Sequence, residues 1–283
     1  MKKFVTISAN TNPEYCFFLP FIILAWQKLG WHTATFFVSE NYNDYHQPHA
    51  VICRKYAKEA SQLDFVSKFH DMVADMPPYR HETLVQCIRF YGHRFSSQVG
   101  EANLYMTSDA DMLPLSDYWQ PKFDDITCYG RDLTDYHYPI CYIAMNAKHW
   151  NAVLGTTTQY WSGHLRQTLD SHPKAASTEW NHWWQVDQDI ITEKINNFGT
   201  KPVLIDRGIA SNTHYPKGRI DRGDWKNTNL QTAFIDAHLP RPGYHYQHFD
   251  QIITLMKEKL VFNDYTIHWL TKYRNEFVAA LPK

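Results

Sequence analysis

Two carboxylates separated by one residue, Asp109 and Asp111, have the type and spacing to do chemistry. They follow an apolar run at residues 104–107, which predicts a buried strand that ends where the pair begins. In open α/β sheets, ligands bind at the carboxyl ends of the strands. Carboxylate oxygens are also the ligands that Mg²⁺ and Mn²⁺ prefer. We therefore predict a divalent-cation site here, one that can bridge the two carboxylates and a diphosphate.

Two other interpretations of the acidic pair compete with a metal site. The first is a pair of surface acids in a turn, but the apolar residues on both sides, including Met112 and Leu113, favour a buried strand end. The second is a phosphatase that forms an aspartyl-phosphate. Such an enzyme is expected to carry the pair after its first strand, with a Thr at the position of Leu113, so the sequence disfavours it.

The elements that must position the pair follow an alternating pattern. Residues 4–9 predict a first strand, residues 15–29 a helix that ends at Gly30, and residues 32–38 a second strand. A strand, a helix and a strand at this spacing predict a βαβ unit and a parallel sheet. Further strands are predicted at residues 104–107, 126–129, 140–145, 202–206 and 234–238, and further helices at residues 49–63, 82–95, 147–154, 186–196, 249–262 and 265–280.

The composition limits the class of protein. Of the 283 residues, 44% are hydrophobic and 20% are charged, which excludes a disordered chain. The 28 Lys and Arg against 29 Asp and Glu give a net charge of -1, which argues against a nucleic-acid backbone as the main partner. No repeat or Gly/Ser linker divides the sequence. We therefore predict one α/β domain at residues 1–245 and a helical extension at residues 246–283.

Three features predict a cytoplasmic location without a membrane-spanning segment. The apolar run after the first three residues is shorter than the core of a secretory signal. The longest apolar stretch, residues 16–26, is shorter than the roughly 20 residues that a transmembrane helix needs. The five cysteines are odd in number and lack metal-binding spacing, which favours a reducing compartment, and Cys16, Cys87 and Cys141 lie in apolar runs that predict buried thiols.

Several segments resemble the glycosyltransferases of the GT-A fold, which use nucleotide-diphosphate sugars. The first strand, followed by Asn10 and Thr11, resembles the nucleotide-binding start of that family, and the Asp-x-Asp pair resembles its metal site. Residues 187–189 resemble the Asp-Gln-Asp segment of its retaining, galactosyltransferase-like and glycogenin-like members. Residues 238–243 match their late His-containing loop more loosely. Residues 10–31 are also similar to the opening of small glycosyltransferases of large algal viruses.

The resemblance implies a fold and a set of roles. The fold is a single GT-A (Rossmann-like) domain with a central mixed, mostly parallel sheet flanked by helices, plus a C-terminal helical tail. Asp109, Asp111 and His238 would hold Mn²⁺ or Mg²⁺. The other implied roles are donor binding by Ala9, Asn10, Thr11, Arg89, Asp109, Ala110 and Asp111, catalysis by Asp187, Gln188 and Asp189, and acceptor binding by Trp180, Trp183 and Trp184.

Each implied role competes with a structural one. His238 is one of 16 histidines, Arg89 also fits a surface arginine, and the acids at residues 187–189 also suit the first turn of a helix. The sequence departs from the retaining members at Tyr138-Pro139, where they have an Asn-Ala-Gly-like turn. The stereochemistry is therefore open, with retention favoured by residues 187–189.

The implied activity is transfer of a hexosyl or pentosyl group from a UDP- or GDP-sugar to a carbohydrate hydroxyl, in the host cytoplasm if the chain is viral. An aromatic content of 16% fits platforms that stack on sugar rings. A sugar nucleotidyltransferase is the main alternative, but it normally has a Gly-rich loop after its first strand, whereas the first glycine here is Gly30. A binding protein for carbohydrates or nucleotide-sugars, without activity, is the second alternative.

Overall fold

The computed structural model describes residues 1–62, 68–73, 79–95, 103–130, 137–156, 160–205, 218–226 and 228–282. The strands are β1 (Lys3–Ala9), β2 (His32–Ser39), β3 (Lys68–Val73), β4 (Leu104–Ser108), β5 (Met112–Pro114), β6 (Thr127–Tyr129), β7 (Ile143–Asn146), β8 (Val203–Ile205), β9 (Arg219–Ile220) and β10 (Asp236–His238). The helices are α1 (Pro13–Cys16), α2 (Leu19–Lys28), α3 (Tyr42–Tyr45), α4 (Pro48–Gln62), α5 (His81–Ile88), α6 (Gly92–Phe95), α7 (Ala147–Leu154), α8 (Trp161–Asp170), α9 (Trp180–Trp183), α10 (Val186–Asn197), α11 (Tyr246–Leu260) and α12 (Asp264–Ala279).

A seven-stranded sheet forms the centre of the molecule, in the order β3-β2-β1-β4-β7-β6-β8. All neighbouring strands are parallel except β7, which runs antiparallel to both β4 and β6. A smaller sheet has the order β5-β10-β9. The predicted α/β fold class, with a mixed, mostly parallel sheet, flanking helices and a C-terminal helical tail, is confirmed.

Helices cover the large sheet on both faces, which explains why its central strands are almost uninterrupted in their apolar character. Six of the seven residues of β1 and all five of β4 are buried. Alternate residues of β1 enter two different core clusters: Val5 and Ile7 pack with α2, α4, α11 and α12, whereas Phe4 packs with α5, α7 and α10. Burial on both faces is typical of parallel strands.

The two C-terminal helices pack against the first helices of the chain. The Tyr273 hydroxyl donates a hydrogen bond to the Phe17 carbonyl at 3.1 Å, and the two rings stack with centroids 5.3 Å apart. Trp269 donates from Nε1 to Glu59 on α4 at 3.3 Å. Residues 246–282 thus share a core with the N-terminal half, while the predicted boundary at residue 245 stays a prediction.

The sequence-based elements differ from the structure in several places. The helix predicted at residues 82–95 is divided into α5 and α6, and the strand predicted at residues 140–145 begins only at Ile143. The single helix predicted at residues 15–29 is divided into α1 and α2, because Pro20 lies in the first turn of α2 and has no N–H to continue a preceding helix. No element was predicted between the second strand and the helix at residues 49–63, but this segment contains α3, which the Asn41 side chain caps by accepting from the Asp44 N–H at 2.9 Å. Strand β3 was not predicted, and it pairs with β2 at the edge of the sheet.

Two further sequence expectations concern thiols and membranes. All five cysteines are free and buried, which confirms the prediction for Cys16, Cys87 and Cys141 and extends it to Cys53 and Cys128. Within the described part of the chain, no helix combines the length and apolar character that crossing a bilayer requires.

Candidate functional site

Parallel pairing brings the two most informative loops to the same edge of the large sheet. In the β1–β4 register, Ile7 lies beside Ser108, so the residues that follow the two strands start next to each other. A cavity of about 610 Å³ opens at this edge. The predicted site residues that line it are Ala9, Asn10, Arg89, Asp109, Ala110, Asp111, Trp184, Asp187, Gln188 and His238.

Three predicted site residues whose side chains the structure describes do not line this cavity. Thr11 turns its carbonyl oxygen towards His49 Nε2, at 2.9 Å. Trp183 is buried beside Arg80, whose guanidinium lies 5.1 Å from the ring centroid. The side chain of Trp180, at the start of α9, lies outside the described part of the structure.

Asp189 is the third, and its environment is that of a structural acid. One carboxylate oxygen contacts His137 Nε2 at 2.7 Å, and the other accepts from Lys174 Nζ at 2.8 Å. The side chain is 13% exposed. The structure therefore separates Asp189 from its neighbours in the Asp-Gln-Asp segment, because α10 turns successive side chains in different directions.

Arg89 joins the two acidic segments. Its Nη1 pairs with Asp109 Oδ1, and its Nη2 donates to Asp187 Oδ2 at 2.7 Å. The Arg89 side chain is 5% exposed and that of Asp187 is 2% exposed. Arg89 is therefore a buried bridge between the loop after β4 and the start of α10, rather than a surface arginine.

The protonation of this bridge follows from burial and charge. Burial raises the pKa of the Asp187 carboxyl, and the neighbouring Arg89 opposes that shift. Burial tends to lower the pKa of Arg89, but Asp109 and Asp187 outweigh it and raise the pKa above its usual value. The second oxygen of Asp187 accepts from the Gln188 N–H at 2.8 Å. Since both oxygens are occupied, Asp187 is poorly placed to accept a proton from a substrate.

Asp111 lies among cationic side chains that the small sheet brings to it. Strand β10 pairs with β5 so that His238 lies opposite Met112, and the Leu239 N–H donates to the Asp111 carbonyl at 2.8 Å. The carboxylate oxygen Oδ2 of Asp111 accepts from Arg222 Nη2 at 2.6 Å. The same oxygen lies 3.5 Å from His238 Nε2 and 3.8 Å from Arg241 Nε.

The ionisation of His238 reflects the same surroundings. Burial alone would lower the pKa of its imidazole, but hydrogen bonding and charge from Asp111 reverse the effect and raise it. Arg241 also lies over the Tyr15 ring, 4.4 Å from its centroid. This end of the cavity thus combines carboxylates with three basic side chains, a composition suited to a phosphate-containing ligand and its counter-ion.

The donor atoms around Asp111 fit a divalent ion that also binds a substrate diphosphate. Mg²⁺ is usually held by one or two carboxylates together with substrate phosphates and water. Asp111 and His238 supply an oxygen and a nitrogen 3.5 Å apart, and the Asp109 side chain is 34% exposed beside them. Among the described residues, no three His, Cys, Asp or Glu side chains form a group that could hold a metal ion alone. Binding of the ion would therefore depend on additional oxygen ligands from the substrate diphosphate.

Sequence reasoning missed Glu82, Gln86, Arg222, Arg241 and Tyr15, all of which line the cavity. A signal existed for two of them. The apolar stripe of α5 includes Leu84 and Ile88, and the opposite face of that helix presents Glu82, Gln86 and Arg89 at helical spacing. For the others the local sequence offers no signal, because Arg222 and Arg241 reach the cavity from loops and Tyr15 reaches it from the short helix α1.

The chain is similar in structure to the glycosyltransferase GlyE of Streptococcus pneumoniae TIGR4. One crystal structure of GlyE matches with a TM-score of 0.49 and 12% identity, and its apo form matches with 0.46 and 11%. Both matches cover 99% of this chain and 64% of GlyE, so the chain spans less than two thirds of that protein. No protein-family model matches the chain. No curated protein matches it either. A likeness this distant supports no conclusion about activity, which has to be argued from the site.

Proposed function

We propose that the chain is a glycosyltransferase that moves a hexosyl or pentosyl group from a UDP- or GDP-sugar to a carbohydrate hydroxyl, with Mn²⁺ or Mg²⁺. One observation supports this most: Asn10 after β1 and the Asp109–Asp111 segment after β4 line the same cavity, at the carboxyl edge of the parallel strands. That edge is where open α/β sheets bind nucleotides. The cavity volume of about 610 Å³ lies within the range typical of small-molecule sites.

The donor diphosphate is assigned to the end of the cavity that contains Asp111, Arg222 and Arg241. Guanidinium groups form paired hydrogen bonds with phosphate oxygens, and they do so more strongly where water is excluded. The base and ribose are assigned to Ala9 and Asn10 after β1. When bound, the ion would neutralise the negative charge that develops on the departing nucleotide. Asp111 and His238 would hold it, and Arg89 keeps Asp109 oriented towards the same end.

Another part of the cavity lining suits a sugar. Glu82 and Gln86 from α5 line the cavity together with Gln188 from the first turn of α10 and Trp184, which precedes that helix. Amide and carboxylate groups beside an indole match the hydroxyls and the apolar face of a carbohydrate ring. Gln86 Oε1 is buried and has no hydrogen-bond partner among the described residues. A buried acceptor normally has a partner, so a substrate hydroxyl is a reasonable donor to it.

The reaction forms a bond between the acceptor oxygen and the anomeric carbon and breaks the bond from that carbon to the diphosphate, which leaves with the electron pair. Glu82 is the cavity carboxylate without an ion pair to any described residue, whereas Asp187 is bound by Arg89. We assign Glu82 to the acceptor hydroxyl. In an inverting reaction it takes the hydroxyl proton, and in a retaining reaction it orients the hydroxyl while a phosphate oxygen takes the proton. Retention stays a prediction, which the anomeric configuration of the product would test.

A thermal-shift screen of nucleotide-sugars, with and without Mn²⁺, tests the proposal. A ligand that binds the folded state at about 100 times its Kd stabilises that state by about 2.7 kcal/mol. We expect a UDP- or GDP-sugar to raise the melting temperature of the wild type only when Mn²⁺ is present, and to be hydrolysed or transferred on longer incubation. The variant Asp111→Asn should lose both effects. Near-wild-type transfer by Asp111→Asn in saturating Mn²⁺ would contradict the metal role.

The exposed Asp117 provides a matched control, because Asp117→Asn removes the same charge six positions further along without touching the cavity. It should keep the wild-type shift and activity. A shift with Mn²⁺ and donor but no hydrolysis or transfer to any sugar would favour a binding protein instead of an enzyme.

A further inference from the structure

A basic side chain lies at the position where a divalent ion would be held. Arg222 Nη2 hydrogen bonds to Asp111 Oδ2 at 2.6 Å, and the same nitrogen contacts His238 Nε2. Those two acceptor atoms, 3.5 Å apart, are the ones that would hold the ion. A guanidinium nitrogen and a metal ion cannot share these atoms, because both are positive and the spacing admits one of them.

Arg222 is held loosely enough to leave this position. Its side chain is 32% exposed, and its other described hydrogen bond is from Nε to the Leu239 carbonyl at 3.2 Å. Arg219, three residues earlier, is 14% exposed and pairs with the fully buried Asp236. Arg222 can therefore swing towards the open cavity, whereas Arg219 is part of the small sheet and its packing.

We propose that Arg222 is an internal counter-ion that occupies the metal position until a diphosphate arrives and draws its guanidinium away from Asp111. This inference rests on the proposed function and adds a regulation of the same site. A diphosphate offers Arg222 paired hydrogen bonds that compensate for the loss of Asp111. The vacated carboxylate and imidazole are then available to the ion, which binds the same diphosphate.

Two consequences follow from this exchange. The free protein binds divalent ions weakly, because an ion must first displace a bound cation. The diphosphate and the ion strengthen each other's binding, and by thermodynamic linkage the factor is the same in both directions. Removal of the guanidinium exposes the negative charge of Asp111 and should raise the affinity of the free protein for the ion by about tenfold, within the usual range of such couplings.

Mn²⁺ binding measured by electron paramagnetic resonance tests the inference on the full chain without any assay of activity. Mn²⁺ is titrated into four proteins, in the absence and in the presence of inorganic pyrophosphate: wild type, Arg222→Gln, Asp111→Asn and the control Lys226→Gln. A titration of Mn²⁺ into pyrophosphate without protein is subtracted. Lys226 is exposed and does not line the cavity, and Lys226→Gln removes the same charge as Arg222→Gln from the same segment. Circular dichroism melting checks that each variant is folded.

Arg222→Gln should bind Mn²⁺ about tenfold more tightly than wild type without pyrophosphate. Pyrophosphate should then strengthen Mn²⁺ binding less in Arg222→Gln than in the wild type, while Lys226→Gln behaves as wild type. The inference would be overturned if wild type and Arg222→Gln bound Mn²⁺ with equal affinity and pyrophosphate increased that affinity equally in both. If Asp111→Asn lost Mn²⁺ binding in the same experiment, the proposed function would stay intact. No binding by any variant, even with pyrophosphate, would refute the metal role itself and this inference with it.

Discussion

Arg89 Nη2 and Asp187 Oδ2 lie 2.7 Å apart, although 98 positions of sequence separate the two residues. Both side chains are almost fully buried at the floor of the cavity. A buried charge is tolerated when it is paired and hydrogen bonded, and its partner then becomes indispensable. This pair fixes α5 against α10 and so sets the distance between the two helical segments that line the acceptor side.

The first prediction concerns this pair and the stability of the protein. Arg89→Met leaves the buried Asp187 carboxylate without a counter-ion, so the free energy of unfolding in urea should fall by about 3 to 5 kcal/mol. The double variant Arg89→Met with Asp187→Leu should recover most of that loss, because it removes the orphaned charge. A double variant as unstable as the single one would show that packing, and not charge pairing, is the main contribution of Arg89.

Glu82 is expected to act on the acceptor. Glu82→Gln keeps the size and polarity of the side chain but removes its basicity, so in an inverting reaction kcat should fall about 100-fold or more while the donor KM changes little. Glu258 on α11 lies outside the cavity, and Glu258→Gln serves as the control. A full rate in Glu82→Gln would exclude Glu82 from proton transfer.

Trp184 and the adjacent Trp183 should respond differently to the same substitution. Trp184 lines the cavity and is half-buried, whereas Trp183 is 8% exposed and packs beside Arg80. Trp184→Ala should raise the acceptor KM about tenfold with a small change in stability, since a stacked ring contributes on the order of 1 kcal/mol. Trp183→Ala should instead lower the free energy of unfolding by about 3 kcal/mol or more. If Trp184→Ala leaves the acceptor KM unchanged, the acceptor platform is elsewhere.

His93 should make the protein sensitive to mild acid. Burial lowers the pKa of its imidazole to about 4, whereas the unfolded chain takes up this proton near pH 6.5. A depressed folded-state pKa means that the stability contribution is complete above pH 6.5 and is lost as the pH falls towards 4. The full loss corresponds to about 3 kcal/mol.

His93→Gln isolates this contribution from that of the carboxylates. The difference in unfolding free energy between wild type and His93→Gln, measured by urea denaturation from pH 7.5 to pH 4, should shrink as the pH falls. A difference that stays constant over that range would mean that His93 takes up its proton equally in the folded and unfolded states.

Two glycines should give opposite effects when each is replaced by alanine. A Cβ on Gly92 would overlap the Thr6 side chain on β1, whereas a Cβ on Gly163, within α8, meets no atom within 4 Å. Gly92→Ala should therefore cost about 1 to 3 kcal/mol through overpacking. Gly163→Ala should stabilise α8 by about 0.5 to 1 kcal/mol. Melting temperatures of both variants check the pair, and a neutral Gly92→Ala would contradict the close contact.

Local periodicity was sufficient to predict much of the fold and the acidic pair of the candidate site. Strands β1 and β4 were predictable because apolar runs ended at turn-forming or acidic residues, and α7 was predicted with the bounds that it has. The acidic pair after β4 followed from the same reasoning. The edge strand β3 escaped it, since residues 68–73 lack the apolar run that marks a strand buried on both faces.

The sequence by itself determined where carboxylates follow a buried strand, because that information lies in adjacent residues. Only the tertiary structure decided which cation each carboxylate meets: Arg222 reaches Asp111 across 111 positions, and Arg89 reaches Asp187 across 98. It also removed Asp189 from the cavity and brought Glu82 into it. The physical reason is that helix and strand periods set the face on which a side chain lies, whereas the long-range packing of the elements sets what that face contacts.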